Sequence, residues 1–294
     1  MKATIIIPTH NHSNTLKYTL KSALEQTIQD VEIFVIGDGV QDDTRHLMKE
    51  FSKRDKRVRF FDHLKGPRHG EIYRHQALNE AKGDIVAYLS DDDLWLPNHL
   101  ENLSEILQEG NVGNVLPIIV DQNNQMDILN VDLSIPFYKN LHLSGLSRIP
   151  LSTMGHTLKL YRELPFGWRT TPFPVSTDLY MLQQFLSHPK CCPRSSLFPS
   201  VFCFPSRLRT NVSDEKRGEE SKMWFENIKD PLWLENAYKQ LLIKSIHGWN
   251  KNEVVFEKKC SSGEWRLGNR LFKIPGIKFT IKCLAKALRC RPVV

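Results

Sequence analysis

Asp91, Asp92 and Asp93 stand in a row, one serine after the apolar run Ile85-Val86-Ala87-Tyr88-Leu89. Three carboxylates a few ångströms apart raise one another's pKa unless a cation compensates them. A single Asp at the end of a strand commonly caps a following helix, but three exceed that need. Oxygen ligands with no Cys or His beside them suit Mg²⁺ or Mn²⁺ rather than a softer metal. A site with so few protein oxygens has to be completed by water and phosphate. The cluster therefore points to a metal that bridges to a diphosphate and neutralises charge developing on a leaving phosphate.

The elements that must position this cluster read clearly from the pattern. Residues 3–8 form a β-branched run ended by Pro8, and residues 31–36 and 85–89 are equally apolar. Such unbroken runs predict strands buried on both faces, as in parallel sheets. Val58–Phe61 is a shorter strand. Helices are predicted over 13–27, with Ser13 as a possible N-cap, from Asp43-Thr44 onward, and over 71–82, stopped by Gly83. Strand and helix alternate, which predicts a doubly wound, mostly parallel sheet flanked by helices. Ligands bind beyond the carboxyl ends of such strands. Three polar clusters fall there: Thr9-His10-Asn11, Asp38 and Asp91–Asp93. Farther on, helices are predicted over 98–109, 178–187 and 231–248. Residues 111–170 are mixed and punctuated by proline, and the charged stretch 207–222 is expected to be an exposed loop.

Three ordered motifs carry a family resemblance. They are Thr4-Ile-Ile-Ile-Pro-Thr-His-Asn11, Ile36-Gly-Asp-Gly-Val-Gln-Asp-Asp-Thr44, and Gly83-Asp-Ile-Val-Ala-Tyr-Leu-Ser-Asp-Asp-Asp-Leu-Trp-Leu-Pro97. In order and spacing the stretch from about 3 to 110 resembles family 2 glycosyltransferases of the GT-A fold; residues 150–185 match more loosely. The resemblance implies an inverting enzyme that moves a sugar from a UDP-sugar to a hydroxyl of a glycan or lipid-linked acceptor, with Mn²⁺ or Mg²⁺. It implies that Pro8, Thr9 and His10 lie under the nucleobase. Asp38 corresponds to the carboxylate that accepts the uracil N3–H, although the family's usual Asp-Asp-Gly-Ser stands here as Gly37-Asp38-Gly39-Val40. Arg74 falls where a basic residue often precedes the fourth strand, with Lys65 and Arg68 as alternatives. The family's Asp-x-Asp becomes Ser90-Asp91-Asp92: Asp92 ligates the metal, and Asp91 contacts the ribose or a metal-bound water. Asp93 holds the turn or faces the acceptor, and Trp95 with Pro97 is structural.

Inverting members need a carboxylate that deprotonates the acceptor hydroxyl. Thr177-Asp178 at the start of an amphipathic helix matches its usual context, and a helix N-terminus favours the ionised form. The competing reading is an ordinary helix cap; Asp132 and Glu163 are the next candidates for the base. His156 falls where acceptor contacts are expected, although a lone histidine is more often structural.

The domain organisation expected is a glycosyltransferase domain over 1–205, with a nucleotide-binding half (1–110) and an acceptor-binding half (111–205). A mainly helical, basic extension covers 206–294. The net charge of +7 is concentrated at the end: from Lys251 onward eleven Lys and Arg face three acidic residues. Residues 274–291 place Ile277, Ile281, Leu284 and Leu288 on one side of a basic helix, suited either to peripheral contact with an anionic membrane or to packing as a last helix. The rest of the chain is slightly acidic, which argues against nucleic acid. The six cysteines form no CxxC pair, so a reducing compartment, the cytoplasm or the inner face of its membrane, is expected. The apolar start is too short for a signal-peptide core, and no stretch of 18 apolar residues occurs. Nucleotidyl transfer to a sugar phosphate is the alternative chemistry, but the loop after the first strand, Thr-His-Asn-His-Ser-Asn, lacks the glycines that class uses. A non-catalytic nucleotide- or glycan-binding protein would not need Asp91–Asp93 together with Asp178.

Overall fold

A computed structural model of the chain describes residues 2–260, 265–267 and 270–272, with side chains as far as residue 246. Two compact units are present, Met1–Ala237 and Tyr238–Val294. The expected boundary after residue 205 therefore falls inside the first unit.

That unit alternates as the apolar runs require. β1 (Ala3–Thr9) leads to α1 (Ser13–Leu24), β2 (Val31–Asp38) to α2 (Asp42–Arg54), and β3 (Val58–His63) to α3 (Glu71–Asn79). β4 (Ile85–Tyr88) delivers the three aspartates; β5 (Leu94–Trp95) and α4 (His99–Glu109) follow. Then come β6 (Val112–Val120), β7 (Met126–Ile128), α5 (Pro136–Leu143), β8 (Met154–Thr157), α6 (Leu158–Glu163), α7 (Thr177–Ser187), β9 (Pro193–Cys203) and α8 (Asp214–Asn227). α9 (Pro231–Cys260) starts in the first unit and runs into the second, which also holds the antiparallel hairpin of β10 (Trp265–Leu267) and β11 (Arg270–Phe272).

The strand order is β3-β2-β1-β4-β8-β6-β9-β5, with β7 on β6. β3, β2, β1 and β4 are mutually parallel, with Thr9 opposite Gly37 and Ile6 opposite Tyr88. β8 reverses the direction between β4 and β6, and β9 runs parallel to β6. Successive side chains of a strand point to opposite faces. Accordingly Ile6, Phe34, Val86 and Tyr88 pack with Leu78 of α3 and Leu182 and Phe185 of α7. Ile5, Ile7, Val35 and Ala87 pack with Leu16 and Leu20 of α1, Met48 of α2 and Leu103 of α4. Each of these large side chains, fully withdrawn from water, contributes about 1.5–3 kcal/mol.

Two local expectations are corrected. His12, not Ser13, is the N-cap residue of α1, and the Ser13 hydroxyl donates to Asp43 Oδ2 at 2.5 Å. The stretch 207–222, expected as an exposed loop, contains most of α8, which Ser213 caps through Lys216 N–H. Its polar composition hides a spaced inner face: Arg217, Ser221, Trp224 and Phe225 are buried, at the spacing of one side of a helix. That face lies on α1. A Cβ added to Gly218 would sit 2.7 Å from Asn14 Cβ, and the rings of Tyr18 and Phe225 are 5.9 Å apart. Among the described residues, no helix is long and apolar enough to cross a membrane. The basic segment 274–291 lies outside the described residues.

Candidate functional site

The parallel strands bring two stations to one sheet edge, and α7 supplies a third group. At the first, β1 ends in the partly buried Pro8, the buried Thr9 and the exposed His10. The His10 ring nitrogen Nδ1 lies 2.6 Å from the backbone oxygen of Asp38, which ties the ends of β1 and β2 together. The Asp38 carboxylate accepts from Lys65 Nζ and from the Gly66 N–H, both at 2.6 Å. Residues 64–70 wrap over it so closely that a Cβ on Gly70 would stand 2.6 Å from Asp38 Cγ; Gly70, at φ +60, provides the needed backbone. An ionised carboxylate has about four acceptor positions, so these two donors leave capacity for an N–H of a ligand. The same loop reaches the third station, because Arg68 donates to the backbone oxygen of Val175 at 3.0 Å.

At the second station the three aspartates diverge. Asp91 Oδ1 lies 3.0 Å from His12 Nδ1, and the Thr15 hydroxyl donates to the Asp91 backbone oxygen. Asp92 Oδ2 accepts from Ser206 Oγ at 2.9 Å and from Arg217 Nη2 at 2.5 Å. Asp93 turns inward and accepts from Ser152 Oγ and the Phe204 N–H. Trp95 is buried, donates to the Ser152 backbone oxygen and stacks on His99. Asp93 and Trp95 thus brace the turn that presents Asp91 and Asp92. Burial, then the neighbouring Asp91, raises the Asp92 pKa, and Arg217 opposes them. Burial and Asp92 push Asp93 up to about 7. The hydrogen bond to Asp91 raises His12.

The donor chemistry here fits a divalent cation. Asp91 and Asp92 each keep 12% side-chain exposure, and the protein contacts above engage one oxygen of each. No group of three His, Cys, Asp or Glu forms a complete cage among the described residues. A hard cation held by Asp91 and Asp92 would therefore take its remaining ligands from water and phosphate, as Mg²⁺ habitually does.

The third station is Asp178, in the first turn of α7. Ser176 caps that helix by accepting from Leu179 N–H. Asp178 does not cap the helix; instead its Oδ1 stands 3.8 Å from Arg74 Nη1, and its side chain is 33% exposed. Burial raises its pKa, and Arg74 opposes that rise. Arg74 is buried, with its guanidinium 4.6 Å from the Trp168 ring centroid, and its Nε and Nη1 lack hydrogen-bond partners. Beneath it Glu71 accepts from Thr177 Oγ1 and from the N–H groups of His69 and Thr171. Trp168 Nε1 donates to Tyr88 Oη at 2.9 Å, and Tyr88 Oη lies 2.7 Å from His156 Nε2. His156 is fully buried, its Nδ1 engaged with the Thr157 backbone oxygen, and burial lowers its pKa to about 4. It backs the network behind Asp178 and offers no surface to an acceptor, unlike the expectation. The other two candidate bases are otherwise engaged: Asp132 accepts from Ser134 in its own turn, and Glu163 pairs with Lys190 at 2.8 Å.

Four residues at these stations escaped sequence reasoning. His12 stood unremarked in the polar loop after β1. Glu71 was not singled out at the start of the helix read over 71–82. Ser206 and Arg217 were hidden in a segment whose charges suggested solvent, and only the spacing of Arg217 with Ser221 and Trp224 could have marked a buried face.

The family model "Glycosyl transferase family 2" matches residues 4–166. An uncharacterised glycosyltransferase of Rickettsia bellii is 36% identical over 112 residues, 37% of this chain; the match spans only 16% of that protein's length. The Escherichia coli protein WfgD, a UDP-Glc:α-D-GlcNAc-diphosphoundecaprenol β-1,3-glucosyltransferase, is 28% identical over 229 residues, covering 75% of this chain and 83% of its own. Among solved structures, residues 1–349 of TarS from S. aureus with UDP-GlcNAc superpose with a TM-score of 0.53 at 14% identity, over 78% of this chain and 72% of that one. The superposition shows a shared fold, the GT-A type expected from the motifs.

Proposed function

Because the chain belongs to glycosyl transferase family 2, we propose that it transfers a sugar, with inversion, from a UDP-sugar to a hydroxyl of a glycan or lipid-linked acceptor. The observation that carries this reading is the position of Asp178: a carboxylate relieved of capping by Ser176 and set beside the buried Arg74. Through Arg68 and Val175 its loop is tied to the loop that encloses Asp38.

An acceptor hydroxyl is a weak nucleophile and gains from losing its proton as it attacks. Asp178 takes that proton. The hydroxyl oxygen bonds to the anomeric carbon from the face opposite the diphosphate, and the bond from that carbon to the diphosphate breaks with its electron pair going to the phosphate oxygen. Arg74 keeps Asp178 poised and, with two unsatisfied guanidinium nitrogens, has donors left for the donor's phosphates. Asp38 accepts the uracil N3–H, and Pro8, Thr9 and His10 floor the base. Asp91 faces the ribose or a metal-bound water. Asp91 and Asp92 would hold Mn²⁺ or Mg²⁺, which supplies charge neutralisation for the departing diphosphate.

The match to WfgD, over 75% of this chain and 83% of that protein, favours a lipid-linked diphosphate acceptor, and with it a place at the cytoplasmic face of a membrane. The basic segment 274–291 would add attraction to anionic lipid, up to about 1 kcal/mol per Lys or Arg near the surface. Anionic vesicles should sediment the full chain and leave a chain ending at Lys273 in solution; equal sedimentation would end that part of the proposal.

The principal test is UDP release from UDP-sugars with an acceptor glycan present. Turnover is expected with Mn²⁺ or Mg²⁺, lost in excess EDTA, and lost in Asp92→Ala while the protein stays folded by circular dichroism. Full turnover in EDTA would refute the metal edge.

A further inference from the structure

Arg217 is not part of any motif at the front of the chain, yet it ends in the acidic edge. It projects from α8, more than a hundred residues after Asp92, and its side chain is 9% exposed. Nη2 donates to Asp92 Oδ2 at 2.5 Å, Nη2 also lies 3.3 Å from Ser206 Oγ, and Nη1 lies 3.4 Å from His12 Nε2. The guanidinium therefore engages one of the two Asp92 oxygens, and it supplies positive charge that two adjacent carboxylates need and that a hard cation would also bring.

We propose that Arg217 is the resident counter-cation of this edge, holding Asp92 in the ligand-free protein and competing with a divalent cation for it. The proposal rests on the reading of Asp91 and Asp92 as the metal edge. α8 itself has reason to stay in place. Gly218 lies against Asn14, Glu220 pairs with the buried Arg209 at 2.6 Å, and Trp224 packs on Phe202 and Trp233 at 5.4 and 5.5 Å between centroids. Only the long Arg217 side chain has to move. A guanidinium displaced from a carboxylate at this edge lies where the diphosphate of a donor must come, and its planar fork binds phosphate well. One side chain thereby offsets the charge of one carboxylate when no metal is bound and turns to the donor when the metal arrives.

The test is binding of Mn²⁺ alone, without nucleotide, followed by the loss of the free-ion paramagnetic resonance signal. Arg217→Gln removes the competitor and should tighten Mn²⁺ binding by about tenfold or more, about 1.4 kcal/mol of binding free energy. Arg217→Lys retains the charge and should stay close to the unaltered protein. Unchanged or weaker binding in Arg217→Gln overturns the proposal, and so does equal tightening in both variants, which would mark a packing effect. If neither the unaltered chain nor Arg217→Gln takes up Mn²⁺, the metal edge itself is wrong and the competition falls with it. If only Arg217→Gln takes it up, the competition stands in its strongest form. A second measurement needs no variant: phenylglyoxal should modify Arg217 in the unaltered chain faster with Mn²⁺ than without, read by peptide mass spectrometry. An unchanged or slower rate with Mn²⁺ bound would overturn the idea.

Discussion

The carboxylates of Asp92, after β4, and Asp178, at the start of α7, are supported in opposite ways. Asp92 is paired directly, at 2.5 Å, with a guanidinium from a distant helix. Asp178 stands 3.8 Å from its arginine, and that arginine is fixed from behind by Trp168, Tyr88 and His156, a buried relay of rings and neutral hydrogen bonds. A charge pair that an ion can replace suits the proposed role of this station, where an ion and a diphosphate would come and go. A neutral, close-packed backing suits a group that must keep one position while a proton moves, because its geometry is then set by packing and not by counter-ions. The two stations should therefore respond to different perturbations: the first to charge, the second to packing and to protons.

The sharpest break between them is Asp178→Asn. The variant keeps the shape and removes the proposed base, so kcat should fall by about 10²–10⁴, the usual contribution of acid–base catalysis, while affinity for UDP with Mn²⁺ stays nearly intact. Burial raises the Asp178 pKa, and a base works only when ionised. Activity of the unaltered protein should therefore decline on the acidic side at a higher pH than an ordinary carboxylate would cause. Steady-state rates across pH, with calorimetry of UDP binding, check both statements. Near-normal turnover in Asp178→Asn would remove the base from this station.

A smaller effect isolates the backing. His156 is buried with its pKa lowered from 6.5 to about 4. Its folded-state pKa lies below its unfolded value, so the unfolded chain binds more protons between those limits and stability falls as pH drops from 6.5 toward 4. At 1.36 kcal/mol per unit, this one group accounts for about 2 kcal/mol between pH 6.5 and 5. His99, lowered to about 3 by burial, adds a slope of the same sign. His156→Gln should remove the His156 share of the slope in urea unfolding at the two pH values and leave Mn²⁺ binding at the other station unchanged. An identical slope in the variant would show that the relay behind Asp178 does not carry the proton linkage assigned to it.

What could be read in advance divides along the same line. β1, β2 and β4 were legible because strands buried on both faces leave unbroken apolar runs, and Asp38 and Asp91–Asp93 were legible because a strand's end is where such a run stops. α7 and Asp178 were legible as a helix start. His156 was misread because a lone histidine carries no sign of its burial; its partners Tyr88 and Phe185 come from strands and helices far away in sequence. Arg217 and Ser206 were missed for a related reason. Local charge suggested solvent, whereas the docking of α8 on α1 draws the guanidinium inward. Ion pairs between distant segments leave no periodicity, so the station built on them stays hidden until the chain is folded.

The smallest effect bears on the premise of the whole comparison, that Asp178 is free of structural duty. The sequence offers Thr177-Asp178 as the cap of α7, but the structure gives the cap to Ser176, which accepts from Leu179 N–H. Thr177 Oγ1 donates instead to Glu71. A serine cap replaced by alanine typically costs about 1 kcal/mol, so Ser176→Ala should lower unfolding stability by that amount and leave kcat within about threefold, since no proton passes through Ser176. Asp178→Asn should show the reverse: full loss of kcat as above, and a stability change limited to the few tenths of a kcal/mol of its interaction with the N-terminus of α7, partly offset because burial disfavours its charge. The pair of variants therefore separates cap from base on two axes at once, urea unfolding and turnover. If Asp178→Asn proved to be the destabilising member and Ser176→Ala the silent one, the capping role would pass to Asp178, and its carboxylate would no longer be available to an acceptor hydroxyl.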